Sequence, residues 1–218
     1  MEDRSTPALY LELVDIDRDA YLRDRAPSVL GRTGALRLTC WDNESPGRDD
    51  LPRRLQEFGW LAVYEADDRF TPPPAMSGAR GLHFVRTARP GQGRLTDAGT
   101  LGLLLVLISP PTEDSAATLR AWGDFVHIRH IAEAAVPGYT MITPYEAADA
   151  GQPRYLHFYE MDTLDAETTF KSMTPMVAER LGGYDAPEFR AWAGDDSLRI
   201  DYVSSFSRAG SPIEPGRP

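Results

Sequence analysis

The chain has a single cysteine, Cys40, and a single lysine, Lys171, among 218 residues. One cysteine excludes an internal disulfide and a multi-cysteine metal site, and its place inside an apolar run reads as a buried structural thiol. The near-absence of lysine is taken as codon usage rather than chemistry. Positive charge is also short: 33 acidic against 23 basic residues leave a net charge of -10. That balance argues against a nucleic-acid or anionic-membrane partner, because phosphate-rich surfaces demand a basic counterpart. A solvated acidic surface accounts for it. Long hydrophobic runs are missing too. The longest, Leu101–Ile108, is too short to span a bilayer. The opening MEDRSTPALY lacks a basic segment followed by an apolar one, so a cytoplasmic protein is expected. There is no P-loop, no dinucleotide glycine fingerprint, no G-x-S-x-G elbow and no H-E-x-x-H. Nucleotide-dependent, dinucleotide-dependent and serine-hydrolase chemistries of the common kinds are therefore disfavoured.

What is present is an ordinary globular composition, 42% hydrophobic and 26% charged. Leu9–Val14 alternates as a half-buried strand. A polar helix over Asp17–Leu30, broken near Pro27, and strands at Ala35–Trp41, Gly59–Glu65 and Leu82–Arg89 follow. Asp50–Phe58 could make a helical turn, whereas the proline-rich Asp68–Gly81 cannot be a regular helix. After a linker, residues 91–100, come a strand at Leu101–Ile108 and a helix from about Thr112 to Ala135 with the stripe Leu119, Trp122 and Val126. Strands at Tyr139–Tyr145 and Arg154–Glu160, a helix at Ala166–Leu181 and a strand at Leu198–Phe206 complete the pattern.

The two halves resemble one another. GWLAVYEAD (Gly59–Asp67) aligns with RYLHFYEMD (Arg154–Asp162), and Gly34-Ala35-Leu36 with Gly138-Tyr139-Thr140. Each half reads as a β-α-β-β-(α)-β unit. The expected fold is α+β: two tandem ferredoxin-like repeats packed sheet to sheet as a barrel. Residues 1–90 form the first repeat, with its second helix degenerate, 101–208 the second, and 209–218 a disordered tail. Stacking would bury the open sheet faces. Leu61, Val63, Leu156 and Phe158 are expected to face helices. Trp60, Tyr64, Tyr155, His157 and Tyr159 are expected inside the barrel. The run Leu103/Leu105/Leu107 could pack helices or serve a homodimer interface.

The motif Trp122-x-Asp124-x-x-His127, then Val136-Pro137-Gly138-Tyr139, then Arg154-Tyr155-Leu156-x-x-Tyr159-Glu160 resembles the dimeric α+β barrel superfamily, nearest its EthD-like branch. The resemblance implies that fold. It brings a range of activities: cofactor-free monooxygenases and cyclases acting on polyketide aromatics in secondary metabolism, isomerases and lactonizing enzymes, and haem-binding peroxidases and dehydratases. Family members place the helix histidine nine residues before the glycine of P-G. Here His127 lies eleven before Gly138, His130 lies eight before it, and Arg129 sits at the family spacing. Either an insertion shifted the histidine or arginine replaced it.

His157, between Tyr155 and Tyr159 on one strand face, suits the binding and deprotonation of a phenolic or enolic substrate. Asp124, His127 and His130 recur every third residue, as on one side of a helix, and His127 with Asp124 makes a second acid/base pair. Trp60, Tyr64, Tyr155, Tyr159, His130 and Arg129 are candidate substrate contacts. Glu12 and Asp201, both on strands, are possible partners for His157, since an inward carboxylate is rarely left unpaired. The expected function is a small-molecule enzyme: a cyclase, isomerase or monooxygenase without cofactor or metal, acting on a small hydrophobic or aromatic molecule. A non-catalytic ligand-binding or stress-response barrel and a haem-dependent enzyme are the alternatives.

Overall fold

The computed structural model describes residues 6–89, 91–94, 96, 99–149, 151 and 153–216. In chain order the elements are β1 (Ala8–Val14), α1 (Arg18–Asp24), α2 (Ala26–Leu30), β2 (Ala35–Asn43), β3 (Trp60–Ala66), β4 (Ala79–Arg86), β5 (Gln92–Gly93), β6 (Gly102–Ser109), α3 (Ala116–Trp122), α4 (Arg129–Ala134), β7 (Tyr139–Ala147), β8 (Tyr155–Met161), α5 (Ala166–Arg180), α6 (Pro187–Ala193) and β9 (Arg199–Ile213). The strands lie in the order β4-β1-β3-β2-β9-β6-β8-β7, and β4 also pairs with β7. Eight antiparallel strands thus close into a barrel, with helices packed outside and the short β5 against β7.

Alternation along the strands sorts side chains into two layers. Leu9, Leu11 and Leu13 of β1 meet Leu61 and Val63 of β3, Leu103, Leu105 and Leu107 of β6, Leu156 and Phe158 of β8 and Phe206 of β9 in one core inside the barrel. Tyr10, Trp60 and Tyr64 lie on the opposite face, against Tyr21, Ala26 and Val29 of α1 and α2. Leu104 and Tyr159 lie against Ile131, Met173 and Trp192 of the later helices.

This reverses the facing expected from sequence. Leu61, Val63, Leu156 and Phe158 fill the barrel, while Trp60, Tyr64, Tyr155, His157 and Tyr159 look toward helices. The physical reason is that an eight-strand barrel is just wide enough to be filled by its own side chains, and aliphatic groups fill it without needing hydrogen-bond partners. Phenols and indoles find carbonyl acceptors outside the barrel: Tyr155 donates to Ala116 O at 3.1 Å and Trp60 Nε1 to Ile16 O at 3.0 Å. Leu103, Leu105 and Leu107 are fully buried within the barrel and form no homodimer surface.

Local chemistry sets the boundaries. Asp17 caps α1 by accepting from the Ala20 amide at 2.9 Å, and Pro27 lies at the start of α2. Gly34 has φ of 87°, and a Cβ there would approach Phe70 N within 2.8 Å, so only glycine makes this turn. Residues 50–58 form no helix; their backbone bonds instead to β9, through Arg54 N to Asp201 O at 2.8 Å. The linker contributes β5. The tail is strand as far as Ile213, pairing Ala209 with Cys40 and Ile213 with Leu38. Arg217 and Pro218 lie outside the described residues. No helix is long and apolar enough to cross a membrane among the described residues.

Candidate functional site

A cavity of about 240 Å³ lies between the outer faces of β6, β8 and β9 and the helical layer. Val106 and Ile108 of β6 and Ile200 and Val203 of β9 form its floor. Phe170 and Met173 of α5 and Phe189 and Trp192 of α6 form its roof, and His127, His157, Trp122 and Tyr159 complete it.

His127 is carried on a wide π-helical turn, Gly123–Ile128, between α3 and α4. Such turns insert one residue into the α-helical register and recur at functional sites. The extra residue fans out the trio spaced for one side of an α-helix. His127 turns toward the sheet, stacked on Trp192 at 5.1 Å and tilted against Trp122 at 4.8 Å. Its Nδ1 lies 3.0 Å from Trp192 O. Donation from Nδ1–H to that carbonyl leaves Nε2 as the acceptor. Burial pushes the imidazole down to about 4.

His157 is 3% exposed and lies against the helix at Gly123, where a Cβ would sit 3.0 Å from its Cε1. Burial, then the positive charges that His127 and Arg89 would carry, push it down to about 3. Both rings are therefore neutral near pH 7. Tyr159 is pushed above the ordinary phenol range by burial, so it too stays protonated.

Asp124 does not orient His127. It is buried and bonds Arg89, 2.7 Å from Oδ2 to Nη1, while Gln92 Nε2 donates to its carbonyl at 2.8 Å. Burial raises the Asp124 carboxyl, and Arg89 opposes that rise. His130 and Arg129 sit away from the cavity around Glu133, at 3.4 and 2.8 Å. Trp60 and Tyr64 belong to the other half: Trp60 meets Tyr21 edge-on at 4.8 Å, and the Tyr64 hydroxyl lies 2.7 Å from that of Tyr21. Tyr155 packs beneath α3 with Leu119 and Trp122. Neither carboxylate expected inward partners His157: Glu12 lies on the outer face with Tyr10 and bonds Arg25, and Asp201 bonds Ser109 and Arg199. Of the residues singled out in the sequence, Trp122, His127, His157 and Tyr159 meet at one cavity. Missed were Phe189 and Trp192 on α6, and Leu51, which reaches the cavity from the β2–β3 loop.

A larger recess, about 640 Å³, opens beside His83 and Phe70. Of its charged groups, Asp67 pairs with Arg69 and Arg89 with Asp124. Among the described residues no cluster of three or more His, Cys, Asp or Glu could hold a metal ion. A haem does not fit the histidine cavity. About 240 Å³ falls below the roughly 300–1,000 Å³ of pockets for drug-sized ligands, and a porphyrin exceeds such a ligand. The lining also holds no arginine or lysine for its carboxylates.

No protein-family model and no curated protein matches the chain. Solved structures share its fold. A candidate monooxygenase from Fusobacterium nucleatum superposes with a TM-score of 0.55 at 8% identity, covering 97% of this chain and 95% of that one. An anthrone oxidase-like protein gives 0.54 at 11%, covering 96% and 93%. A mutant chlorite dismutase from Candidatus Nitrospira defluvii gives 0.53 at 10%, covering 94% and 92%. At such identities the likeness is one of fold, and the chain has the fold of the dimeric α+β barrels.

Proposed function

We propose that this chain is a small-molecule enzyme working without a bound cofactor, and that the cavity takes a planar aromatic substrate with an acidic proton. A phenol or an enolisable aromatic ketone fits that description. The observation that carries this reading is the pair of buried, neutral imidazoles on one apolar cavity walled by indoles. A neutral ring accepts a proton from the substrate hydroxyl or activated C–H. Burial disfavours the imidazolium, so the proton is held only while the substrate anion sits beside it. Cyclisation or isomerisation returns that proton to another atom of the substrate. In a monooxygenase reaction dioxygen is the oxidant. A ring CH2 loses two hydrogens, one oxygen atom becomes the new carbonyl, and the other leaves as water. His157 and His127 are the proposed catalytic residues, and Tyr159, Trp122 and Trp192 the substrate contacts. The names borne by two fold neighbours, candidate monooxygenase and anthrone oxidase-like, support the reading.

The barrel is further read as two split βαβ units fused in tandem, of the EthD-like kind, in a cytoplasmic enzyme of secondary metabolism. In support, the order β4-β1-β3-β2 recurs as β9-β6-β8-β7. Gly34 and Gly138 share a positive φ, 87° and 93°, and their carbonyls accept from Asp67 and Asp162, both at 2.9 Å.

The test is to titrate 1-naphthol and anthrone into the protein, following tryptophan fluorescence, dioxygen uptake and product formation. His157→Ala is expected to abolish turnover. Binding with no turnover in the wild type would make the chain a ligand-binding protein. Unchanged turnover in both His157→Ala and His127→Ala would move the chemistry elsewhere.

A further inference from the structure

The β2–β3 loop belongs in sequence to the first half of the chain, yet it walls the cavity of the second. Past β2, Glu44 accepts the Glu167 amide at 2.9 Å, at the start of α5. Arg48 returns to the same residue, Nη1 to Oε2 at 3.1 Å, and its guanidinium lies 5.4 Å from the ring centre of Phe170. Leu51 follows, packs against the helical core and lines the cavity. Beyond it, Arg53 enters the barrel mouth. It donates to Ser45 O at 3.0 Å and Ser204 Oγ at 3.2 Å, and lies over the Tyr202 ring at 4.6 Å. Leu51 is therefore presented to the cavity between two riveted points, by a segment that takes no part in the histidine geometry.

We infer that Leu51 determines specificity: its side chain closes the cavity and limits the length of aromatic ring system admitted. This rests on the proposed cavity being the substrate site. One methylene of misfit in an apolar pocket discriminates by about 10–200-fold, and truncating leucine to alanine removes more than that. Leu51 is a half-buried loop residue, so its exchange leaves the barrel core intact.

The experiment measures dissociation constants of 1-naphthol and of 1-hydroxypyrene, a longer phenol, for wild type, Leu51→Ala, Leu51→Phe and His157→Ala. Leu51→Ala is expected to shift the preference toward 1-hydroxypyrene by about tenfold or more. Leu51→Phe is expected to weaken both ligands. If wild type binds 1-naphthol through His157 but the Leu51 variants keep the wild-type ratio, this inference fails and the cavity stands. If wild type binds neither phenol, or binding ignores His157, the underlying site fails and Leu51 falls with it.

Discussion

His127 and Trp192 hold each other by two reciprocal hydrogen bonds. His127 Nδ1 lies 3.0 Å from Trp192 O, Trp192 Nε1 donates to His127 O at 3.1 Å, and the rings stack 5.1 Å apart at 7°. The pair ties α6 to the π-helical turn. A seven-residue helix has little stability of its own, so this contact and Phe189 hold it in place. Trp192→Ala is expected to destabilise the protein by about 3–5 kcal/mol, as for other buried tryptophans. Trp192→Phe keeps a stacked ring but removes one donor, for about 1 kcal/mol. Urea unfolding measures both. Equal effects would mean that the hydrogen bond, not the ring, carries the contact.

The depressed histidines fix a sign for the pH dependence of stability. Above pH 6.5, their ordinary value, both are neutral whether the chain is folded or not. As pH falls, the unfolded chain takes up protons that the folded chain refuses until about 4 at His127 and about 3 at His157. Stability is thus fully present above that range and is lost as pH falls through it. The slope approaches about 1.4 kcal/mol per pH unit for each histidine. Unfolding free energies measured from pH 7 to pH 4 should fall less steeply, by one proton, in His157→Leu. Identical slopes would mean that His157 is protonated in the folded state.

Gly123 faces His157 across a gap that a methyl group fills only if the imidazole gives by a few tenths of an ångström. A Cβ there would lie 3.0 Å from Cε1 and 3.2 Å from Nε2 of the imidazole. On an exposed helix, glycine to alanine gains about 1 kcal/mol. Here the overpacking, about 1–3 kcal/mol, opposes that gain, and the ring must move toward the cavity. Gly123→Ala is expected to unfold at or below the wild-type midpoint and to weaken 1-naphthol binding. A rise in midpoint with unchanged binding would show that the ring has room.

Much of the barrel could be read from the chain, because strand alternation and the two Tyr-Glu-x-Asp endings mark it. Which face points inward could not. β1 is buried along its whole length and β3 and β8 nearly so, and alternation separates two buried faces without ranking them. The three-residue spacing of Asp124, His127 and His130 fits an α-helix and gave no sign of the π-helical turn. Without knowledge of that turn, Asp124 read as the partner of His127, although Arg89, from the segment following β4, claims the carboxylate. Helix α6 left a faint signal, a proline at its start with Phe189 and Trp192 three apart. Leu51 left none, since its contacts are made with the other half of the chain.

The first half of the chain buries an ion pair between β1 and the helices α1 and α2. Glu12 of β1 and Arg25, between α1 and α2, have side chains only 1% and 9% exposed. Arg25 Nε lies 3.1 and 3.2 Å from the two carboxylate oxygens, Tyr10 donates to Oε1 at 2.8 Å, and Tyr21 donates to Oε2. Burial first, then Glu12 for Tyr10 and Tyr64 with Glu12 for Tyr21, keep both phenols protonated as donors. Arg25→Met removes the cation and strands the carboxylate, with an expected loss of about 3–5 kcal/mol. Glu12→Gln added to Arg25→Met removes the stranded charge and leaves an amide oxygen to accept from the two tyrosines. The double variant should therefore be more stable than Arg25→Met alone. Urea unfolding of the four proteins closes the cycle. If the two losses simply add, the carboxylate is not stranded in Arg25→Met, and water or a rearranged phenol stabilises it instead.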